Sequence, residues 1–308
     1  MASYQLDRCI FGVKSLLVLD LALESFCSFD FYVNSHSSYI IFYEWIGLGM
    51  QHQLDFKHIC FQYPNSQASL FKELNFSVKT GELVGILGSS GSGKTTLTEI
   101  LLGRHRPTCR HFQMLEDGSP LSTAVKWSYV PQQNLLREYL RVSEIFNIYA
   151  DIHLKTAKAN EKQQRIFQTL QDLGLSDFKD KKISELSGGQ KRRVSIGIEM
   201  LSDSRYFILD EPSSGLDALS DRNLLRTLKI MARVNQKAIV VITHNTENLA
   251  ILDKLIFLSK GKPTFVGSFE ELLMEFKTTD RFTVKKYLDL SIADLYQELN
   301  ASGRIYDI

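Results

Sequence analysis

The chain has 308 residues, 44% of them hydrophobic and 23% charged, with a formal net charge of +1. That balance is ordinary for a globular protein of one large or two small domains, long enough to bury a core without disulfides or structural metal. The near-neutral charge argues against the broad basic footprint of a nucleic-acid binder.

Composition shifts near residue 50, and residues 26–45 are dense in aromatic side chains and show no clear period. The apolar stretch at 10–23 is interrupted by Lys14 and Asp20. It falls short of the roughly 20 apolar residues that cross a bilayer and lacks small residues at a signal-cleavage site. No segment of the chain is therefore expected to span a membrane. Cys9, Cys27, Cys60 and Cys109 lie far apart in sequence, with no CxxC and no histidine at metal-ligand spacing. They read as reduced, mostly structural thiols of a cytosolic protein.

A regular pattern starts at Gln53. Leu54, Phe56, Ile59 and Phe61 predict a strand with an irregular step, followed by a turn at Tyr63-Pro64-Asn65-Ser66. A second strand is expected at 74–78. Residues 83–87 form a short apolar run ending at Gly88, the mark of a strand buried on both faces. Residues 95–102 predict a short helix closed by Gly103, and residues 138–178 have helical spacing with an exposed charged part at 161–165. Two further apolar, β-branched runs at 206–209 and 238–242 bring the buried parallel strands to at least three, which argues an α/β fold. Residues 254–259 and 263–266 bracket Lys260-Gly261-Lys262 as a hairpin. Helical spacing returns at 270–276 and 292–299. The basic clusters at 179–182 and 191–193 read as solvated faces.

Gly88-Ser89-Ser90-Gly91-Ser92-Gly93-Lys94-Thr95 fits G-x-x-x-x-G-K-[ST], between a strand and a helix as that pattern requires. Such glycines let backbone N–H groups curl around phosphates, and the helix adds its positive end. Lys94 supplies a charge to the β- and γ-phosphates, and the Thr95 hydroxyl suits Mg²⁺. A nucleotide site is the reading. The run Tyr206-Phe207-Ile208-Leu209-Asp210-Glu211 delivers two carboxylates at a strand's carboxyl end, where ligands of open α/β sheets bind. Asp210 suits the metal. Strand alternation is expected to turn Glu211 elsewhere, toward an attacking water as general base.

Leu186-Ser187-Gly188-Gly189-Gln190 lies between these sites and resembles the signature motif of the ATP-binding-cassette ATPases. Other residues extend the resemblance: Tyr63 upstream of Gly88, Gln132 after Tyr129-Val130-Pro131, Ser214-Gly215-Leu216-Asp217, and His244 after Ile242-Thr243. The resemblance implies a phosphate-loop NTPase core with a parallel sheet, an antiparallel β subdomain and a helical subdomain at about 134–190. The cassette would occupy 53–275, between an N-terminal segment (1–52) and a C-terminal helical extension (276–308). It further implies an ATP site formed by Tyr63, the loop from Gly88 through Thr95, Thr96, Ser187, Gly188, Gly189, Gln190 and Asp217. Lys94, Gln132, Glu211 and His244 would act in catalysis, and Thr95, Gln132 and Asp210 would hold Mg²⁺.

In that family two cassettes pair head to tail, each ATP lying between one subunit's phosphate loop and the other's signature. Arg192-Arg193-Val194-Ser195-Ile196-Gly197-Ile198-Glu199 resembles subfamily G cassettes and their bacterial relatives. This implies a separate exporter-type (ABC-2-like) permease, contacted near the Gln132 loop and residues 134–147. The chain is then expected at the cytoplasmic face of the cell membrane, held there through the permease, with no nucleic-acid partner. The rival reading is a soluble cassette of translation or DNA maintenance. Translation types carry two cassettes, however, and the interval from Gln132 to Ser187 has no room for the coiled coil of chromosome types. An inactive cassette would have lost Lys94, Glu211 or His244, and all three are present. For residues 1–50, a further domain, an amphipathic piece on the permease or membrane, and a start at Met50 stay open.

Overall fold

A computed structural model describes residues 51–121, 125–133, 136–246 and 248–275. The readings for 1–50 and for 276–308, including the 292–299 helix, lie outside the described residues.

Among the described residues, ten strands form two sheets. The first is antiparallel, in the order β2 (Phe71–Lys79), β1 (Gln53–Phe61), β4 (Gln113–Glu116), β5 (Ser119–Pro120). The irregular step in β1 is a bulge: pairing with β2 shifts between Phe56 and Ile59, and His58 lies there at φ 56°. The second sheet has six strands, in the order β10 (Lys262–Gly267), β9 (Lys254–Ser259), β3 (Leu83–Gly88), β8 (Ala238–Thr243), β7 (Tyr206–Asp210), β6 (Trp127–Val130). β9, β3, β8, β7 and β6 run parallel, and β10 is antiparallel to β9. The parallel strands thus number five. Short, half-buried β6 carries too little apolar signal to be found by pattern. The hairpin forms where expected, with Lys260 and Gly261 at φ 46° and 75° as a two-residue turn requires.

Strand alternation sorts the six-stranded sheet into two cores. Leu83, Leu87, Phe207, Leu209, Ile239 and Val241 face a helical layer. That layer contains α2 (Val142–His153), α3 (Ala159–Asp172), α4 (Gly188–Met200) and α5 (Ala218–Val234). Val84, Ile86, Ile208, Val240 and Ile242 face Phe56 and Phe76 of the antiparallel sheet and Leu97, Ile100 and Leu101 of α1 (Lys94–Leu101). Fully burying one such side chain is worth about 1.5–3 kcal/mol, so both cores hold the strand ends rigidly.

The helical stretch at 138–178 is two helices. α2 ends at His153, and α3 restarts where the backbone N–H of Lys158 is accepted by the Glu161 carboxylate at 3.1 Å. Ile148 falls off the buried face of α2, which is built on Val142, Ile145, Phe146 and Ala150. Residues 161–165 are largely exposed, as expected. A further helix, α6 (Phe269–Glu275), follows β10. Cys60 and Cys109, remote in sequence, direct their thiols to one acceptor, the His58 carbonyl, at 3.6 and 2.8 Å. Both are free, and burial pushes the Cys60 thiol up to about 11.

Candidate functional site

β3 is buried along its whole length and delivers the glycine-rich loop at its carboxyl end. Gly93 caps α1 at φ 107°, and a Cβ there would meet Phe71 ring carbons at 2.9 Å, so only glycine fits. The loop closes by Ser92 N–H donating to the Ser89 carbonyl at 3.1 Å. The β9–β10 turn braces it, Gly261 N–H donating to the Ser92 carbonyl at 3.1 Å. Lys94 Nζ folds into the loop and donates to the Gly88 and Ser89 carbonyls at 2.6 and 3.0 Å. Burial lowers its pKa, opposed by the nearby Glu211 and Asp210 charges. The buried Ser92 hydroxyl has no hydrogen-bond partner among the described residues. An orphaned donor and a folded-back ammonium inside one curl of backbone fit an oxyanion ligand.

Tyr63 is 42% exposed beside this loop. Its hydroxyl is 2.6 Å from Thr96 Oγ1, and its ring meets Phe61 edge-on at 4.9 Å. Thr96 itself is buried, so its hydroxyl ties the aromatic to the helix that carries Lys94. His105, which the sequence did not single out, lies 6.1 Å from the Tyr63 ring.

The acidic end of β7 departs from expectation in one respect. The strand stops at Asp210, and Glu211 takes a left-handed conformation, φ 44°. Its N–H still docks on the Ile242 carbonyl at 2.8 Å. A turn that is unusual for a residue with a side chain, not strand alternation, therefore aims the carboxylate. Glu211 Oε2 accepts from Gln132 Nε2 at 2.7 Å, and Oε1 lies 3.0 Å from His244 Nδ1. Asp210 Oδ2 accepts from the Tyr129 hydroxyl at 3.2 Å. Burial raises the Asp210 pKa, and the Tyr129 hydrogen bond pulls it back. Burial next to Asp210 pushes Tyr129 up to about 12, which keeps it a donor. Lys94, Gln132, Asp210, Glu211 and His244 are thus placed at or beyond the carboxyl ends of β3, β6, β7 and β8.

Ser187 and Gln190 stand apart from this group. Ser187 N-caps α4, accepting from Gln190 N–H at 3.3 Å while Gln190 Oε1 accepts from Ser187 N–H at 2.9 Å. Asp217 N-caps α5, accepting from Leu219 and Ser220 N–H at 3.0 and 2.9 Å. Among the described residues no hydrogen bond joins either cap to the phosphate loop. Asp221, also missed by sequence reading, is buried and accepts from Asn245 and Asn248 at 3.0 and 2.6 Å, which fixes the segment after His244.

The 191–193 cluster is not a solvated face. Arg192 is 4% exposed. Its guanidinium turns inward because free carbonyls at the ends of β6 and β7 need donors, a tertiary fact that a linear charge run conceals. The 179–182 cluster is exposed as expected.

Residues 71–214 match the ABC transporter family. Over 214 residues the chain is 34% identical to ABC transporter G family member 22 of Dictyostelium discoideum, covering 65% of this chain and 35% of that protein. It is 29% identical to human ATP-binding cassette sub-family G member 8, covering 76% of this chain and 36% of the relative. The chain thus spans about a third of the length of these curated relatives. Among solved structures, cbiO1 from Clostridium perfringens, part of the ABC transporter complex cbiONQ, has the same fold with a TM-score of 0.64. The match is 24% identical and covers 73% of this chain and 91% of that one. The loop at Gly88, the acidic pair at the end of β7 and the capped helix after Ser187 carry the marks of one family: the chain holds an ATP-binding cassette of the ABC transporters, of G-family type.

Proposed function

We propose that this cassette hydrolyses ATP as one half of a head-to-tail pair and that the cycle drives a separate, exporter-type membrane permease. The observation that carries the pairing is the division of the site. The phosphate loop, Asp210 and Glu211 converge, whereas the Ser187 cap is exposed and, among the described residues, hydrogen-bonded only within its own helix end. A helix N-terminus with a free face toward solvent is a ready anion site, suited to the γ-phosphate held by a second cassette.

Within one site the chemistry divides as follows. The loop N–H groups and Lys94 hold the phosphates, and Tyr63 offers a face to adenine. Glu211, oriented by Gln132 and His244, accepts the proton of the attacking water. His244 is 69% exposed on its side chain and so can also meet the γ-phosphate. The oxygen donors Thr95, Asp210 and the Gln132 amide, whose nitrogen is engaged by Glu211, suit Mg²⁺, which would neutralise phosphate charge. Asp217 and the Ser214–Asp217 turn are placed at the pair's interface in this reading.

The permease reading draws on cbiO1, which is part of a transporter complex, and on G-family relatives of which this chain covers about a third. Among the described residues no helix is long and apolar enough to cross a membrane. A yeast relative, 30% identical over 244 residues, is named ATP-binding protein/permease, so a fused permease is the second reading. The docking face would include the Gln132 loop and Tyr139, which is 67% exposed. Attachment there would hold the cassette at the cytoplasmic face of the membrane, and the neutral net charge speaks against nucleic acid as partner. Purification of the native chain from membranes tests both readings: a separate polytopic protein should accompany it, and Tyr139→Ala should lower permease-stimulated turnover while sparing basal turnover. Stimulation unaffected by that change would refute the docking face, and a single longer polypeptide would favour the fused arrangement.

A further inference from the structure

Arg192 lies in the second turn of α4, the helix that Ser187 caps, and its side chain crosses the interior to the catalytic loops. Nη1 donates to the carbonyls of Pro131 (2.5 Å) and Gln132 (3.2 Å), Nη2 to that of Asp210 (2.5 Å), and Nε to that of Pro212 (3.2 Å). The first pair belongs to the loop that carries the Gln132 amide. The second pair brackets Glu211 on both sides. Asp210 is the last residue of β7 and the other three lie just past the ends of β6 and β7, where buried carbonyls need donors from elsewhere in the chain. A buried charge is tolerable only when fully hydrogen-bonded, and the guanidinium, a planar fork of five donors, suits convergent carbonyls that a lysine ammonium cannot span.

We infer that Arg192 is a positioning residue: it holds Gln132 and Glu211 in register and links both to the signature helix of the same chain. The inference rests on Glu211 and Gln132 acting as proposed above. It has a further consequence for the pair. ATP of the partner cassette, seated on the Ser187 cap, would shift α4, and Arg192 would carry that shift to the chain's own Gln132–Glu211 contact. Each cassette would then sense occupancy of the site it completes through its own base.

Arg192→Lys keeps the charge and loses the fork, and Arg192→Gln keeps donors without charge. The expected result for Arg192→Lys is a kcat about 10- to 100-fold lower, the cost of misplacing a reacting group by about an ångström. ATP affinity, read by titration with a fluorescent ATP analogue, should stay within about twofold. In a Gln132→Ala background the same change should lower kcat far less, because its route of action is already cut. An unchanged kcat, an ATP affinity that falls in proportion to kcat, or equal losses in both backgrounds would overturn the assignment. Failure of both single variants to fold would make Arg192 a fold determinant and overturn it equally. The underlying reading fails separately: a Glu211→Gln protein with full turnover removes it, whatever Arg192 does.

Discussion

Lys94→Ala removes the ammonium that the structure places inside the phosphate loop. Lys94 Nζ is held by the Gly88 and Ser89 carbonyls at 2.6 and 3.0 Å. A phosphate oxygen at about 3 Å, with an effective dielectric near 20, attracts it with a gross energy of about 5 kcal/mol. Against this stands the exchange of one of these two carbonyl bonds, about 1.5–3 kcal/mol for a bond to a charged group. The net loss of ATP affinity should be about 2–4 kcal/mol, or about 30- to 700-fold at 1.4 kcal/mol per decade. Calorimetric titration of ATP with Mg²⁺ into both proteins measures it. The fold should survive, because Lys94 is only part-buried. An affinity within about threefold of wild type, in a variant with an intact melting transition, would refute the phosphate-cradle assignment.

Two predictions concern α4. Gly197→Ala should lower the thermal midpoint, because a Cβ there meets Phe146 at 2.6 Å and Leu173 at 2.8 Å. Overpacking of about 1–3 kcal/mol outweighs the helix-propensity gain of about 1 kcal/mol, and scanning calorimetry should show a fall of a few degrees; a rise would show a looser α2–α4 contact. Burial pushes the Glu199 carboxyl up to about 7, and among the described residues no hydrogen bond or ion pair offsets it. The folded chain then holds a proton that the unfolded chain has released from about pH 4.5 upward, so stability falls between about pH 4.5 and 7 and levels off above. Glu199→Gln should remove that fall, raising the midpoint at pH 8 and matching wild type at pH 5. Equal midpoints at pH 8 would contradict it.

Local signals were legible in the sequence. The run ending at Gly88, the loop to Thr95 and the run ending at Asp210 each combine a short buried strand with its own punctuation. The Lys260-Gly261 hairpin and the bulge in β1 belong to the same class. What escaped is tertiary. The direction of Glu211 comes from a left-handed turn held by β8, the inward course of Arg192 from carbonyls remote in sequence, and the Asn245–Asp221–Asn248 contact from the packing of α5. Strands β4 to β6 are too short and too mixed in burial to show a period. The helix break at 154–158 has no proline or glycine to announce it.

The central claim, that Glu211 is the base of a site completed by a second cassette, is tested most directly with Glu211→Gln. Size-exclusion chromatography with ATP and Mg²⁺ should show that variant trapped as a pair, with ATP retained and turnover lost, and a return to single chains in ADP. A variant that stays single in ATP and hydrolyses it at the wild-type rate would contradict both the base and the pair.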